Sequence, residues 1–335
     1  MENKNIHNNK QYDIFGIGNP LIDILVDVDN TFLKKYALDK GQFNLVSLEK
    51  INEILKDIKN LEIVQAPGDS TANTLAGICD FGGSAIFTGK VGDDEHGKYY
   101  NIKLNEKNIF SKIKLADLPT GKVVCLITPD LQRTFATFLG AALTLKKEDL
   151  ATDDIQKCKI IHLTGYQLED PNLRETSMHL ISVAKENNKL VSIDLADPGL
   201  VERNKDFLLT VIKNSADIIF ANAKEAKALT GKDPEDALSE LSKYCSTAIV
   251  KTGKEGSLIS HDGIIYMIDG VKVNAIDTTG AGDMYAAGIL FGLTSGIEMQ
   301  KAGNLASYSA AMVVSNKGAR LSKSMAEAIK FKFDL

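Results

Sequence analysis

The chain has 335 residues, of which 44% are hydrophobic and 25% are charged, an ordinary composition for a globular protein. Its formal net charge is −5 at pH 7 and no basic run could follow a nucleic-acid backbone, which argues against nucleic acid as a partner. No segment reaches the roughly 20 apolar residues of a membrane span, residues 1–11 lack the apolar core of a signal peptide, and the scattered cysteines show no metal-binding spacing, so we expect a cytoplasmic protein without membrane contact.

Two extended patterns open the chain, a buried strand over residues 12–18 and a second run over residues 21–27. Gly16 and Gly18 resemble the start of a dinucleotide-binding fingerprint, but Leu21 stands where the third glycine belongs. This mismatch disfavours a nucleotide-dependent oxidoreductase.

Helix-start signals follow. Ser47 is a good N-cap for a helix over residues 50–58, and Ser70 for a second helix after a turn. Residues 85–97 then read as a strand, a turn and the start of another helix. The Gly-Lys pair inside this stretch lacks the flanking residues of a P-loop, so phosphate binding must be sought elsewhere.

The pattern changes between residues 112 and 140, where short β-type runs are separated by Pro- and Gly-containing turns. These runs cover residues 113–115, 123–128 and 134–138. A small antiparallel sheet that interrupts a strand-helix alternation is a candidate lid.

Regular alternation of strands and helices resumes after residue 140. The expected strands cover residues 160–163, 190–194, 218–220 and 247–251, and the expected helices cover residues 171–185, 201–212 and 299–314, with one more beginning at residue 223. This rhythm predicts a parallel sheet, which binds its ligands at the carboxyl ends of the strands.

Residues 277–283, D-T-T-G-A-G-D, connect an expected strand over residues 271–276 to an apolar helix over residues 284–293. A glycine-rich turn into a helix directs unpaired N–H groups at one point and makes an anion site. Asp283 places a carboxylate beside that site. Its simplest role is to complement the helix dipole, but it could also take a proton from an alcohol that attacks a phosphoryl group.

This motif resembles the C-terminal signature of the ribokinase (PfkB) family of sugar and nucleoside kinases. Residues 89–97 also resemble the first signature of the family, and the matches run in family order from Tyr12 to Ala319. The resemblance implies a three-layer α/β sandwich with a mostly parallel central sheet and a small β-sheet lid. We expect residues 11–18, 48–111 and 141–335 to form the core, and residues 19–47 and 112–140 the lid.

The implied activity is ATP-dependent transfer of the γ-phosphoryl group to a hydroxymethyl group. The stretch G-N-P-L-I-D at residues 18–23, together with Arg133, favours the adenosine-kinase-like subgroup and adenosine as acceptor. A sugar kinase of the ribokinase or fructokinase type is the alternative, and a non-catalytic sensor is a weaker one. The resemblance further implies Mg²⁺, allows a monovalent cation such as K⁺, and is compatible with a monomer or a homodimer.

The resemblance assigns roles to individual residues. For catalysis these are Asp283 as base and the N–H groups of Gly280, Ala281 and Gly282 as charge-stabilising donors. For the acceptor they are Asn19, Asp23, Gly68, Asp69, Ser70, Asn73, Arg133 and Tyr166, with Gln167 beside the last. For ATP they are Asn222, Thr252, Gly253, Lys254, Gly256, Thr279, Gly282, Asn316 and Gly318. Asn222 and Glu225, in the N-x-x-E motif, would order Mg²⁺ from its outer shell.

Asp69 departs from the family pattern, which has a second glycine in this place. A carboxylate here adds negative charge near the presumed positions of Asp23 and Asp283, which suits neutral hydroxyls and repels a phosphorylated or acidic acceptor. We therefore expect an uncharged acceptor. The alternative is that Asp69 turns outward and helps Ser70 to cap the following helix.

Overall fold

The computed structural model describes residues 11–335; the expectation for residues 1–11 lies, apart from Gln11, outside them. The strands are β1 (Tyr12–Ile17), β2 (Leu21–Asp27), β3 (Phe43–Leu45), β4 (Ile63–Gly68), β5 (Ala85–Thr88), β6 (Lys90–Gly92), β7 (Phe110–Ser111), β8 (Lys114–Ala116), β9 (Thr120–Ile127), β10 (Arg133–Gly140), β11 (Cys158–Thr164), β12 (Leu190–Asp194), β13 (Ile218–Asn222), β14 (Thr247–Lys251), β15 (Gly256–His261) and β16 (Ile264–Asp269).

The helices pack between and around these strands. They are α1 (Asn30–Lys35), α2 (Leu48–Ile58), α3 (Ser70–Phe81), α4 (Glu95–Glu106), α5 (Thr152–Gln156), α6 (Tyr166–Glu169), α7 (Pro171–Glu186), α8 (Pro198–Arg203), α9 (Lys205–Ser215), α10 (Ala223–Thr230), α11 (Pro234–Leu241), α12 (Ala281–Ser295), α13 (Met299–Val314) and α14 (Lys323–Phe333). Within residues 11–335, none of them is both long and apolar enough to cross a bilayer.

A nine-stranded sheet forms the middle layer, in the order β16-β15-β14-β13-β12-β11-β1-β5-β7. All neighbours from β14 to β7 are parallel, and β15 and β16 are antiparallel additions. Successive residues of a strand face opposite sides, so Ile14 packs in one core with α3 and α12 while Phe15 packs in the other with α7 and α8. The expected sandwich with a mostly parallel sheet is confirmed.

The small sheet has the order β3-β10-β9-β2-β4. It contains the expected lid strands β2, β9 and β10, but it also contains β4, which we had assigned to the core segment 48–111. Helix α2 contacts this sheet at β10. Residues 114–116 lie outside it and pair with β6 instead. The structure therefore pairs β4 with the small sheet and residues 114–116 with β6.

The strand expected at residues 271–276 is wrong. The edge of the large sheet is the hairpin of β15 and β16, and the segment that follows runs in irregular backbone over the surface. Val273 and Ile276 are exposed, and the Ile276 N–H bonds to the carbonyl of Val314 rather than to a strand. β-type residues alone do not make a strand when no neighbouring edge is within reach.

Candidate active site

The turn into α12 depends on Gly280. Its φ of 78° lies in the left-handed region, and a Cβ there would come within 2.5 Å of the Ala319 carbonyl oxygen. Ala281 already donates its N–H to the Thr278 carbonyl at 3.3 Å. Within residues 11–335 no side chain caps this helix, so the N–H groups of Gly282 and Asp283 in its first turn are the donors left for an anion.

Asp283 sits in the first turn of α12 and faces Asn73 of α3. The Asn73 Nδ2 donates to Asp283 Oδ2 at 2.9 Å. The carboxylate is closely surrounded by protein, and this desolvation raises its pKa to about 7, although the Asn73 hydrogen bond acts in the opposite direction. A base with a pKa near the working pH is well matched to proton transfer.

Asp23 of β2 pairs with Ala66 of β4, and its side chain lies against Gly68, two residues further along β4. A Cβ on Gly68 would come within 2.6 Å of Asp23 Oδ1, so glycine makes room for this carboxylate. Burial raises the pKa of Asp23 to about 7, against the influence of the Arg320 guanidinium. Asp23 can therefore exist in either protonation state and both donate and accept hydrogen bonds with hydroxyl groups.

Asp69 is the N-cap of α3, so the cap expected at Ser70 lies one residue earlier. Its Oδ1 accepts from the Ala72 N–H at 2.7 Å and its Oδ2 from the Asn19 N–H at 2.7 Å. Burial raises its pKa to about 6 despite these bonds. The carboxylate is turned inward, not outward, and it has backbone partners on both oxygens. Its φ of 105° is a conformation that glycine adopts without strain.

Arg133, at the start of β10, joins the small sheet to the α12 entry loop. Its Nη1 donates to Asp277 Oδ1 at 3.0 Å and to Thr279 Oγ1 at 3.3 Å. Asp277 also accepts from the Thr279 N–H and from the Gly318 N–H at 3.2 Å. Burial alone would raise the pKa of Asp277, but the bonds from Thr279 and Arg133 lower it to about 2. Arg133 thus lies beside the α12 entry loop, with its side chain partly exposed.

Lys251, at the carboxyl end of β14, is a site residue that sequence reasoning missed. Its Nζ lies 2.9 Å from Asp194 Oδ2, and a Cβ on Gly282 would be 3.2 Å from the same Nζ. Burial alone would lower the pKa of Lys251, but Asp194 and Glu225 outweigh it, so the ammonium stays charged. A fixed cation therefore borders the α12 N-terminus.

Asn222 and Glu225 form a reciprocal capping box at the start of α10. Asn222 Oδ1 accepts from the Lys224 and Glu225 N–H groups, and Glu225 accepts from the backbone N–H and the side-chain amide of Asn222. Burial and the nearby Asp194 raise the pKa of Glu225.

Within residues 11–335 no group of three His, Cys, Asp or Glu side chains is arranged to hold a metal. The oxygen atoms of Asn222 and Glu225 suit Mg²⁺, which keeps several of its own waters, and their existing bonds fit an outer-shell position.

The expected ATP loop is a tight turn. Gly253 begins a short 3₁₀ turn with a φ of 69°, and the Thr252 N–H donates to the Gly256 carbonyl at 2.8 Å. Gly256 has no room for a side chain, because a Cβ would collide with the backbone of Ile268. The Lys254 side chain is 92% exposed. On the other side of the site, Asn316 Nδ2 caps the end of α13 through the Met312 carbonyl.

Tyr166 is exposed at the start of α6, whereas Gln167 is buried. Gln167 Oε1 accepts from the N–H and the hydroxyl of Thr164, so this residue is occupied by the core and is not presented to a ligand.

Arg320 was also missed by sequence reasoning. Its Nε donates to Asn73 Oδ1 at 2.8 Å.

The missed residues differ in how much signal the sequence carries. Lys251 and Asp194 each end a run of buried strand residues, at the edge of a parallel sheet where ligands bind, and that position was a usable signal. Arg320 follows a loop with no recognisable pattern, and only the packing of that loop against Gly280 brings it to α3.

Residues 45–326 match the family model described as pfkB family carbohydrate kinase. A probable fructokinase-7 of Arabidopsis thaliana is 31% identical over 252 residues, which are 71% of this chain and 73% of that protein. An adenosine kinase of Dictyostelium discoideum is 26% identical over 326 residues, which are 90% of this chain and 94% of that protein.

The crystal structure of the adenosine kinase from Sinorhizobium meliloti superposes with a TM-score of 0.86 at 30% identity, covering 96% of this chain and 99% of that one. The family match spans most of the chain and includes the α12 entry, the carboxyl ends of β11 to β14, and strands β4, β9 and β10 of the small sheet. The chain belongs to the pfkB family of carbohydrate kinases, phosphotransferases that act on sugar or nucleoside hydroxyl groups.

Proposed function

We propose that this kinase transfers the γ-phosphoryl group of ATP to the hydroxymethyl group of a nucleoside, with adenosine as the leading acceptor. The observation that carries the proposal is the position of Asp283, a carboxylate with a pKa of about 7 beside the unpaired N–H groups of the α12 N-terminus. The similarity to adenosine kinases over nine-tenths or more of the chain supports the choice of acceptor.

In this proposal Asp283 takes the proton of the attacking hydroxyl. Asn73 holds its Oδ2, which leaves Oδ1 for the acceptor. The acceptor would lie between Asp283 and Asp23, where β2 and β4 bring a second carboxylate with a pKa of about 7. Two such groups can each exchange a hydrogen bond with neighbouring ribose hydroxyls.

The growing charge on the transferred group would be stabilised from three directions. The N–H groups of Gly282 and Asp283 would donate from the first turn of α12, and the Lys251 ammonium lies beside Gly282. Arg133 would act from the entry loop, to which it is hydrogen-bonded through Asp277. Fixed donors and cations of this kind stabilise a phosphoryl transition state without reorganisation.

Kinases of this family use ATP and typically Mg²⁺. When bound, Mg²⁺ would neutralise charge on the nucleotide phosphates, and Asn222 and Glu225 would hold its waters. A requirement for a monovalent cation such as K⁺ is part of the proposal, as is a cytoplasmic monomer or homodimer.

We retain an uncharged acceptor in the proposal. Asp23, Asp69 and Asp283 contribute three carboxyl groups near the proposed acceptor position, and the Arg320 guanidinium, which lowers the pKa values of Asp23 and Asp69, supplies a single positive charge against them. A phosphate already present on the acceptor would meet this charge in a site with little water.

A sugar is the second candidate. The fructokinase match is the most identical of the sequence relatives described above, and the burial of Gln167 leaves Tyr166 as the single expected base contact within residues 11–335. A sugar would use Asp23 and Asp283 in the same way but would need no contact with a base.

The deciding experiment is a phosphate-acceptor screen with MgATP, run in KCl and again in tetramethylammonium chloride. The acceptors are adenosine, other nucleosides, ribose, fructose, fructose phosphates and ketodeoxy sugar acids. We expect the highest kcat/KM for adenosine, with AMP as product. A higher value for ribose or fructose would establish the second candidate, and preference for a phosphorylated sugar would contradict the charge argument.

A further inference from the structure

Two hydrogen bonds link the side chains of Arg320, Asn73 and Asp283 in series. Arg320 Nε donates to Asn73 Oδ1 at 2.8 Å, and Asn73 Nδ2 donates to Asp283 Oδ2 at 2.9 Å. The two links join residues 247 and 210 positions apart, so tertiary packing alone creates this contact.

The direction of these bonds is set by Arg320. A guanidinium group carries only donors, whereas the amide of an Asn can present either its oxygen or its NH₂ to a neighbour. Because Arg320 must face the amide oxygen, the NH₂ of Asn73 must face Asp283. Without Arg320 the amide could rotate and direct its oxygen at the carboxylate, where it would repel the ionised form.

We propose that Arg320 is a positioning residue that fixes the Asn73 amide and thereby keeps Asp283 in its ionised, proton-accepting form. The inference rests on the proposed role of Asp283 as base. Arg320 acts through Asn73 and needs no contact with the acceptor.

Stability alone does not account for Arg320. Its Nη2 is buried with no hydrogen-bond partner among residues 11–335, and an unmet buried donor costs free energy. The guanidinium also lowers the pKa values of Asp23 and Asp69, which burial raises. Arg320 therefore favours the ionised forms of Asp23 and Asp69, which lie near the proposed acceptor position.

Other groups also face Asp283 and enter any measurement of its pKa. They are Asp194 and Lys251 at strand ends, Asp69 at the start of α3, Asp23 on β2 and Tyr166 on α6. The test must separate an effect transmitted by Asn73 from a direct effect of the Arg320 charge.

The test measures the pKa of Asp283 by ¹³C carboxyl NMR titration, with its signal assigned by loss in Asp283→Asn. Arg320→Met keeps a long apolar stem but removes the donors. We expect the pKa of Asp283 to rise by about 1 unit, as for loss of one hydrogen bond to a carboxylate. An unchanged pKa would overturn the proposal. If Arg320→Met does not fold, Arg320→Gln replaces it, since its amide can face Asn73 with either group.

A double-mutant cycle separates the two routes. In an Asn73→Ala background, Arg320→Met should leave the pKa of Asp283 nearly unchanged. An equal rise in both backgrounds would show a direct charge effect and refute positioning through Asn73. Arg320→Lys, which keeps charge and donor character, should restore part of the parent value.

The kinetic readout keeps this inference apart from the proposed function. The acid limb of kcat/KM for adenosine should move to higher pH in Arg320→Met, with activity recovering at alkaline pH. If the parent phosphorylates no acceptor, the proposed function fails, while the NMR titration still decides whether Arg320 controls Asp283.

Discussion

Arg133 on β10 donates a hydrogen bond to Asp277, 144 positions later, with Nη1 and Oδ1 3.0 Å apart. The Asp277 side chain is 4% exposed and that of Arg133 is 35% exposed. An ion pair with one buried partner is less screened by solvent than a surface pair. This contact ties the small sheet to the turn that begins α12.

Truncating Arg133 to Ala should reduce kcat/KM by roughly 10²-fold, because a charge-stabilising donor is lost and the small sheet is released from Asp277. Steady-state kinetics with MgATP and adenosine would measure the loss. Lys40→Ala is the matched control, since Lys40 forms an exposed ion pair with Asp130 between β9 and β10, and this variant should change kcat/KM little. Equal kcat/KM for parent and Arg133→Ala would remove Arg133 from the site.

Asp283→Asn should lower kcat by roughly 10²–10⁴, because the amide cannot take the proton of the acceptor. ATP binding, followed by calorimetry, should be close to that of the parent. Asp206→Asn, which alters an acidic residue in the first turn of α9, is the control for a helix-dipole effect. Near-normal turnover in Asp283→Asn would leave Asp283 as a helix cap.

The pH dependence of stability should report the raised carboxyl pKa values. Asp283 and Asp23 titrate near 7 in the folded protein, but close to the ordinary value of 3.8 when unfolded. Between these values the folded state binds more protons, so their contribution falls as pH rises from about 4 through 7.

Asp283→Asn should therefore lose less stability than the parent over this range. Urea unfolding at pH 4.5, 6 and 8 would measure the difference. A parent and a variant with parallel curves would show that Asp283 has no raised pKa.

Lys251→Met should reduce kcat because it removes the cation beside Gly282. It also leaves Asp194 unpaired in a largely buried place, so the single variant could lose activity through destabilisation. The double variant Lys251→Met with Asp194→Asn removes both charges. Recovery of thermal stability without recovery of kcat would support the assigned role, and full recovery of kcat would contradict it.

Asp69→Gly should change the free energy of unfolding little, because two effects oppose each other. Glycine adopts a φ of 105° without strain, which stabilises the variant, but the loss of the hydrogen bonds from the Ala72 and Asn19 N–H groups removes the helix cap, which destabilises it. The variant should also raise kcat/KM for acidic and phosphorylated acceptors relative to neutral ones, because one carboxylate is lost. Urea unfolding measures the first effect, and the acceptor screen repeated on this variant measures the second. Unchanged KM for every acceptor would make Asp69 a cap and nothing more.

The sequence carried the central features of the site because they are local. Gly280 and Gly282 before an apolar run predict a helix with an open N-terminus, and that helix is α12. Periodicity also located β2, β12 and α13 to the residue. Features that depend on pairing between distant segments were not predictable in this way.

The place of β4 is one such feature. Ile63 and Val64 are partly or largely exposed, and nothing in their pattern shows that β2 will be their neighbour. The Arg320–Asn73 contact is another, since it requires the loop after α13 to pack on Gly280 first. A long polar side chain in a loop is indistinguishable, in one sequence, from a solvated one.

Asp277 accepts hydrogen bonds from the small sheet, from its own turn and from the loop that ends α13. The proposed acceptor side and the proposed nucleotide side of the protein therefore share one carboxylate. A substrate that strengthens the hydrogen bonds of Asp277 on one side therefore also changes the binding free energy of the substrate on the other side. If the acceptor changes the affinity for ATP by some factor, thermodynamic linkage requires ATP to change the affinity for the acceptor by the same factor. This holds whichever of the two binds first.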